Sequence, residues 1–289
     1  MNNIDIVLAQ TDLGVNIDGT DKGPEVILNN IEKDNINDIY ILNKPNVEKE
    51  KEKDNLKKNL KWINEYNEKL YNTILNILND NKFPLTIGGD HSIAIATALA
   101  SIKNNDKMGI IWVDAHSDYN TFDTTITGNI HGLPLACITG YEKRLLTKFH
   151  NNNYYPYKNT VIIGARDIDL LEYENLKDAN ITVFTTEDIK KYGVKDIVQK
   201  AIKIATDNVN SIHVSFDIDV IDPNVAKGVS VSAKEGISEE ESYEILDELF
   251  KYNNIRSMDV VEYNPLKDDD NNTLKIAVNI VNKIINEKK

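Results

Sequence analysis

Met108-Gly109-Ile110-Ile111-Trp112-Val113-Asp114-Ala115-His116-Ser117-Asp118 is an apolar run that closes in acid, imidazole and acid. The run reads as a buried strand, and folding alone does not call for three ionisable groups at its end. Strand side chains repeat with period two, so Asp114, His116 and Asp118 leave on one side and can converge on a point. Carboxylates held together repel, and burying one unpaired costs roughly several kcal/mol, so a bound divalent cation is the simplest reading. Oxygen ligands with imidazole suit Mn2+, Fe2+, Co2+ or Zn2+. The competing reading is a set of polar residues at an exposed strand end.

Outward from this stretch, short apolar runs recur at 4–9, 38–42, 83–87, 160–163, 181–184, 212–216 and 257–261. Near-continuous apolarity without alternation is the pattern of strands covered on both faces. Helical patterns lie between them, at 56–78, 91–102, 194–205, 238–250 and 273–285. Strand and helix alternating over the whole length imply an α/β fold, a doubly wound, mainly parallel sheet flanked by helices, in one domain over 1–289. Residues 14–24 form a turn-rich loop, and Pro24 starts a helix at its first position. Residues 49–61, a dense mix of Lys, Glu and Asp with Leu56 and Leu60 on one face, read as a solvated helix face.

In an open parallel sheet, ligands bind beyond the carboxyl ends of the strands. Polar clusters fall at those ends: Gly88-Gly89-Asp90-His91-Ser92, Gly164-Ala165-Arg166-Asp167-Ile168-Asp169, Asp217-Ile218-Asp219 and Glu262-Tyr263-Asn264-Pro265. A phosphate loop at Gly88-Gly89 is excluded by Asp90, which would repel phosphate; a plain strand-to-helix turn is the other use of such glycines. The strongest ligand candidates are His91, Asp114, His116, Asp118, Asp217 and Asp219. Two divalent cations balance the four aspartates and can acidify a shared water toward pH 7, so the chemistry expected is hydrolysis.

A net charge of −13 and a pI near 4.9 argue against nucleic acid or an anionic membrane as partner, which leaves a small molecule. A single cysteine, Cys137, excludes an internal disulfide and fits a reducing, cytoplasmic compartment. The first residues, Met1-Asn2-Asn3-Ile4-Asp5, lack a basic n-region, and Ile6-Val7-Leu8-Ala9 is too short for a signal or a membrane span. Cys137 has no recognisable base nearby in sequence, which argues against covalent catalysis. His150 and His213 lack neighbouring acids and are read as structural. Asp222, before Pro223, reads as a turn residue.

Residues 88–92, 114–118 and 217–222 resemble the three metal-binding signatures of the ureohydrolases, the family of arginase and agmatinase. The likeness runs nearly end to end and is greatest to the bacterial arginase branch. It is carried by Asp12-Leu13-Gly14, Gly23-Pro24-Glu25, Asp118-Tyr119-Asn120-Thr121, Thr127-Gly128-Asn129-Ile130-His131-Gly132-Leu133-Pro134 and Arg166-Asp167-Ile168-Asp169-Leu170-Leu171-Glu172. The resemblance implies a three-layer arginase-like fold with an eight-stranded sheet, two Mn2+ per chain, and a homo-oligomer, trimer or hexamer. It also implies hydrolysis of L-arginine to L-ornithine and urea by a metal-bridging hydroxide that attacks the guanidinium carbon. By the same resemblance Asp118 orients the hydroxide, His131 shuttles a proton to the leaving amine and Glu262 pairs with the guanidinium. Asn120, Thr127 and Asn129 would take the α-carboxylate, and Asp169 and Glu172 would face the α-amino group. Without the resemblance, Glu262 passes for a capping glutamate, and Asp167 and Asp169 for helix N-caps.

One segment departs from the family pattern. After Asp222-Pro223-Asn224 the family runs through Gly-Thr-Pro and then Gly-Gly, whereas this chain reads Gly228-Val229-Ser230-Val231-Ser232-Ala233-Lys234-Glu235-Gly236. Val231 takes the threonine position, Ser232 the proline and Glu235 the first glycine. Alternatives to arginine hydrolysis are a ureohydrolase for agmatine or a guanidino acid, a non-catalytic arginine or ornithine sensor, and a one-metal zinc deacetylase of related architecture.

Overall fold

The eight apolar runs form strands of one sheet, and every pairing in it is parallel. In chain order they are β1 (Ile4–Gln10), β2 (Ile36–Asn43), β3 (Phe83–Gly88), β4 (Met108–Val113), β5 (Thr160–Ala165), β6 (Thr182–Thr185), β7 (Ser211–Asp217) and β8 (Ile255–Val261). Their order in the sheet is β2-β1-β3-β8-β7-β4-β5-β6. The computed structural model describes residues 3–50, 52, 55–105, 107–145 and 153–288; His150 lies outside them.

Alternation sends successive residues of each strand to opposite layers. On one side Ile4, Ile6, Leu8, Ile111 and Val113 pack against α1 (Gly23–Leu28), α6 (Thr186–Tyr192), α7 (Val194–Ala205), α8 (Glu239–Phe250) and α9 (Asn272–Glu287). On the other, Val7, Ala9, Met108, Ile110 and Trp112 pack against α2 (Leu60–Asn79), α3 (Ala94–Asn105), α4 (Pro134–Ile138) and α5 (Leu170–Ala179). Three layers result, and helix ends follow local chemistry. Ser238 caps α8 by accepting from Glu241 N at 3.1 Å, while the Glu241 carboxylate takes Ser238 N at 2.7 Å.

Three expectations from the sequence need correction. The edge strand β2 is largely exposed, with Ile39, Tyr40 and Ile41 open to solvent, because an apolar run at a sheet margin has only one neighbour to cover it. The helix expected from residue 56 starts at Leu60, since Asn59 turns to φ 56° and spends its carboxamide on Leu13 O and Glu50 N. Nor is 49–61 a solvated face throughout. Lys49 is buried against loop 12–18, and Lys58 is buried with its ammonium on the Thr127 carbonyl.

The chain passes from β3 to β4 across a gap that β7 and β8 later fill, so the connections reverse direction at the sheet's middle. The five adjacent strands β3, β8, β7, β4 and β5 thus open their carboxyl ends on one crevice.

Candidate active site

Except for Asp217, which closes β7, the ligands are delivered by turns beyond the strand ends rather than by strand alternation. β4 stops at Val113; the next residues bend, with Asp118 at φ 49°. The three groups after Val113 therefore converge as expected, but not for the expected reason: a left-handed residue re-aims Asp118. At β3, a Cβ on Gly89 would lie 1.8 Å from the Thr11 carbonyl oxygen, so close backbone approach sets that glycine. Asp90 then accepts from Ser92 N and Gly14 N, both at 3.0 Å, and tilts His91 toward the crevice. Asp217 is the last residue of β7, and its Oδ1 accepts Asp219 N at 2.7 Å.

His91 Nδ1 stands 3.1 Å from an Oδ2 of each of Asp114, Asp118 and Asp217. Despite this proximity, His91 Nδ1 and Asp118 Oδ2 are buried without a hydrogen bond. A second group joins His116 Nδ1 to Asp219 Oδ2 at 2.9 Å and to Asp114 Oδ1 at 3.5 Å. Asp114 is common to both, one oxygen to each, and both groups have the spacing of metal ligands. Their outer contacts fix the orientation: His91 Nε2 meets Ser215 Oγ at 2.8 Å, its ring stacks on Trp112 at 4.1 Å, and Trp112 Nε1 donates to Asp114 Oδ2. Asp219 Oδ1 accepts Ala115 N at 3.1 Å.

The charges need a cation. Burial, then the Asp114 carboxylate, pushes Asp118 up to about 7; burial, then Asp219 and Asp114, raises Asp217 well above its usual value. Burial opposes charge on His91, but Asp114, Asp118 and Asp217 outweigh it and lift the imidazole pKa. Protons thus do the neutralising that divalent ions do better, and the orphaned atoms, shared carboxylate and mixed imidazole–carboxylate donors fit such ions.

Above these groups lies a cavity of about 290 Å3. His116, Asp118, Asp217 and Asp219 line it together with Asn120, Thr127, Asn129, His131, Asp169 and Glu172. His91, Asp114 and Glu262 sit behind the lining. Glu262, at φ 69°, accepts from His91 N at 2.8 Å and His131 Nδ1 at 2.9 Å through Oε1, leaving Oε2 buried and unpartnered. Burial disfavours the His131 cation, yet Glu262 and then Asp118 raise its pKa. Asn120 Oδ1 accepts from Thr124 at 2.9 Å, Thr127 Oγ1 accepts Asn129 N at 3.2 Å, and Asn129 Oδ1 is buried without a partner. Asp169 is the N-cap residue of α5, and Glu172 accepts Asp169 N at 3.2 Å and Tyr119 N at 2.8 Å. Both are therefore helix-start residues as well as cavity walls.

Val231 and Asp167 also line the cavity, Asp167 Oδ2 standing 3.9 Å from His116 Nε2. Sequence reasoning named Asp167 but left it out of the site, although its position two residues before Asp169 was a signal. It missed Arg166, whose guanidinium donates to the carbonyls of Val220, Asp219 and Ala233 at 2.9–3.0 Å and to Lys234 O, fastening β5 to the segments after β7. Asp222 is the turn residue expected, accepting Asn224 N and Gly236 N. Cys137 is fully buried, and burial holds its thiol well above the usual range. His213 is buried too, but it does have an acid: Nε2 lies 3.0 Å from Asp259 on the neighbouring strand, a cross-strand partner that sequence adjacency hides.

Residues 2–286 match the sequence model of the Arginase family. This chain belongs to that family. It is 36% identical over 295 residues to the arginase of Staphylococcus aureus strain COL, covering 98% of this chain and 97% of the relative. Against the arginase of Bacillus subtilis strain 168 the identity is 36% over 298 residues, with 99% and 98% covered. The native arginase structure from Bacillus caldovelox superposes with a TM-score of 0.91 at 32% identity, over 99% and 98% of the two chains. An Entamoeba histolytica arginase solved in complex with L-ornithine gives 0.90 at 30% identity, over 98% of each. Membership in the arginase family makes the chain an amidinohydrolase, and the family is one of metal-dependent hydrolases. Among the described residues no helix is long and apolar enough to cross a membrane.

Proposed function

We propose that this chain hydrolyses L-arginine to L-ornithine and urea, with a pair of Mn2+ ions held by His91, Asp114, Asp118 and Asp217 and by Asp114, His116 and Asp219. The observation that carries the reading is the pair of ligand groups sharing Asp114 at the floor of a polar cavity. When bound, the ions supply charge neutralisation and an acidified water, the nucleophile for a guanidinium carbon.

The chain's own residues do the rest. The unpartnered Glu262 Oε2 offers negative charge to the cationic guanidinium and orients it, while Asp118, besides holding metal, would orient the nucleophile. Glu262 fixes Nδ1 of His131, so Nε2 is the nitrogen free to act in the cavity. The raised His131 pKa favours a proton there, and His131 gives it to the departing nitrogen as the carbon–nitrogen bond breaks, leaving ornithine and urea. Asn120, Thr127 and Asn129 take the α-carboxylate; Asp169 takes the α-amino group, with Glu172 holding its backbone. We read 1–289 as one domain, since its single sheet draws strands from both ends of the chain, and the lone buried thiol as fitting a cytoplasmic protein; a homo-oligomer, trimer or hexamer, rests on the family resemblance alone.

Urea release from arginine and from agmatine, with Mn2+ present, tests the reading. Agmatine lacks the carboxylate, and each unpaired buried donor costs roughly 1–3 kcal/mol, so kcat/KM should be at least about tenfold higher for arginine. Equal values would transfer the assignment to another guanidino substrate.

A further inference from the structure

A second cavity, of about 280 Å3, opens at the amino ends of β1, β3 and β8, the opposite end of the sheet from the metal groups. Arg256, the second residue of β8, reaches it and makes no hydrogen bond or ion pair among the described residues; its Nε is buried with no acceptor. Lys288 lines the same space. Its ammonium donates to Ile255 O at 2.9 Å and lies 4.7 Å from the Phe83 ring centroid. Lys82 adds a third cation, loosely held at 3.8 Å by Asp5 and Asp38, and the carboxamides of Asn81 and Asn253 complete the polar wall. The chain carries 46 Asp and Glu residues against 33 Lys and Arg, yet among the described residues none of the acids answers Arg256. Among the described residues, Glu287 is the one carboxylate on the lining.

A half-buried guanidinium without an acceptor is costly to keep, and its planar fork matches carboxylate and phosphate oxygens. We propose that this cavity is a second ligand site, taking a small oxyanion, a phosphate or carboxylate group, on the guanidinium of Arg256 and the ammonium of Lys288. The space admits several water-sized groups, enough for a tetrahedral anion with its donors. Burial and then the Arg256 charge push the Lys288 ammonium down to about 8, a cost that a bound anion relieves. The site is independent of the arginine reading, because the two cavities share no residue.

The test is titration of the metal-loaded protein with inorganic phosphate and, separately, with succinate, followed by thermal shift and calorimetry against sodium chloride at matched ionic strength. Saturable binding of either anion is expected; phosphate alone would assign a phosphate site, and both would assign a general oxyanion site. Arg256→Gln should weaken binding by at least about tenfold, Arg256→Lys should restore part of it, and His116→Ala should leave it intact. Anion-free urea release by Arg256→Gln should match the wild type, which shows the variant is folded. Binding that survives Arg256→Gln, disappears in His116→Ala, or is matched by chloride would overturn the proposal.

Discussion

Val231 faces the site cavity, while the serines on either side do not: Ser230 Oγ is taken by Asn264 Nδ2 at 3.0 Å, and Ser232 is exposed outside the lining. A hydroxyl at position 231 would meet the guanidinium end of a substrate, and valine keeps that shape without the bond. Val231→Thr should therefore raise kcat on arginine more than it lowers KM, by a factor of about ten per 1.4 kcal/mol gained, with Ser232→Ala nearly neutral. An inert Val231→Thr beside a damaging Ser232→Ala would show that a serine has taken the role. Glu235 is a further departure in this segment. It occupies φ 62°, a left-handed conformation that costs a non-glycine residue about 1 kcal/mol, and its side chain is exposed. Glu235→Gly should raise Tm by a few degrees in a thermal melt without changing kcat; a lower Tm would mean that the glycine's extra freedom in the unfolded chain outweighs the relieved strain.

At the scale of elements, the loop over 12–18 behaves as part of the site because Lys49 holds it. The Lys49 ammonium donates to the carbonyls of Asp12, Val15 and Ile17, each at 3.2 Å, and pairs with the Asp12 and Asp18 carboxylates. Gly14 in that loop supplies N to Asp90 and O to His131 N, so its position reaches both His91 and His131. Lys49→Met keeps the stem but removes every charged contact, and should cost about 2–4 kcal/mol in urea denaturation while lowering kcat. Unchanged kcat would detach the loop from catalysis. Lys49 also shows where reading the sequence stops. Strand ends carrying Asp114, His116, Asp217 and Asp219 are legible because an acid closing an apolar run has no folding motive. A lysine in a run of lysines and glutamates looks solvated until the fold brings three carbonyls to it. Arg166 and His213 are opaque for the same reason: their partners lie far along the sequence, on the segments after β7 and on β8. The interior strands were legible as apolar runs, whereas β2 was misjudged because its sequence does not reveal that it stands at the margin.

For the whole molecule, the decisive feature is that β8, the last strand in the chain, lies between β3 and β7. Without it β2-β1-β3 and β7-β4-β5-β6 share no strand pairing, and His91 on the first group is parted from Asp114, Asp118 and Asp217 on the second. A chain ending at Asn254 should therefore lose near-UV circular dichroism and high-affinity Mn2+ binding together. A truncated protein that binds Mn2+ tightly would mean that the two groups dock without their joining strand.

That placement of β8 also sets a clock on biosynthesis. Residue 255 is added only after the other seven strands have been synthesised, and until then the sheet edges that β8 joins, at β3 and β7, stay unpaired. A nascent chain consequently cannot bring His91 to Asp114, Asp118 and Asp217 at any earlier stage, and the β3 edge is open to pairing with foreign strands from residue 88 onward, the β7 edge from residue 217. Ribosome stalling before β8 would yield an inactive, association-prone product, whereas adding β8 closes both edges at once.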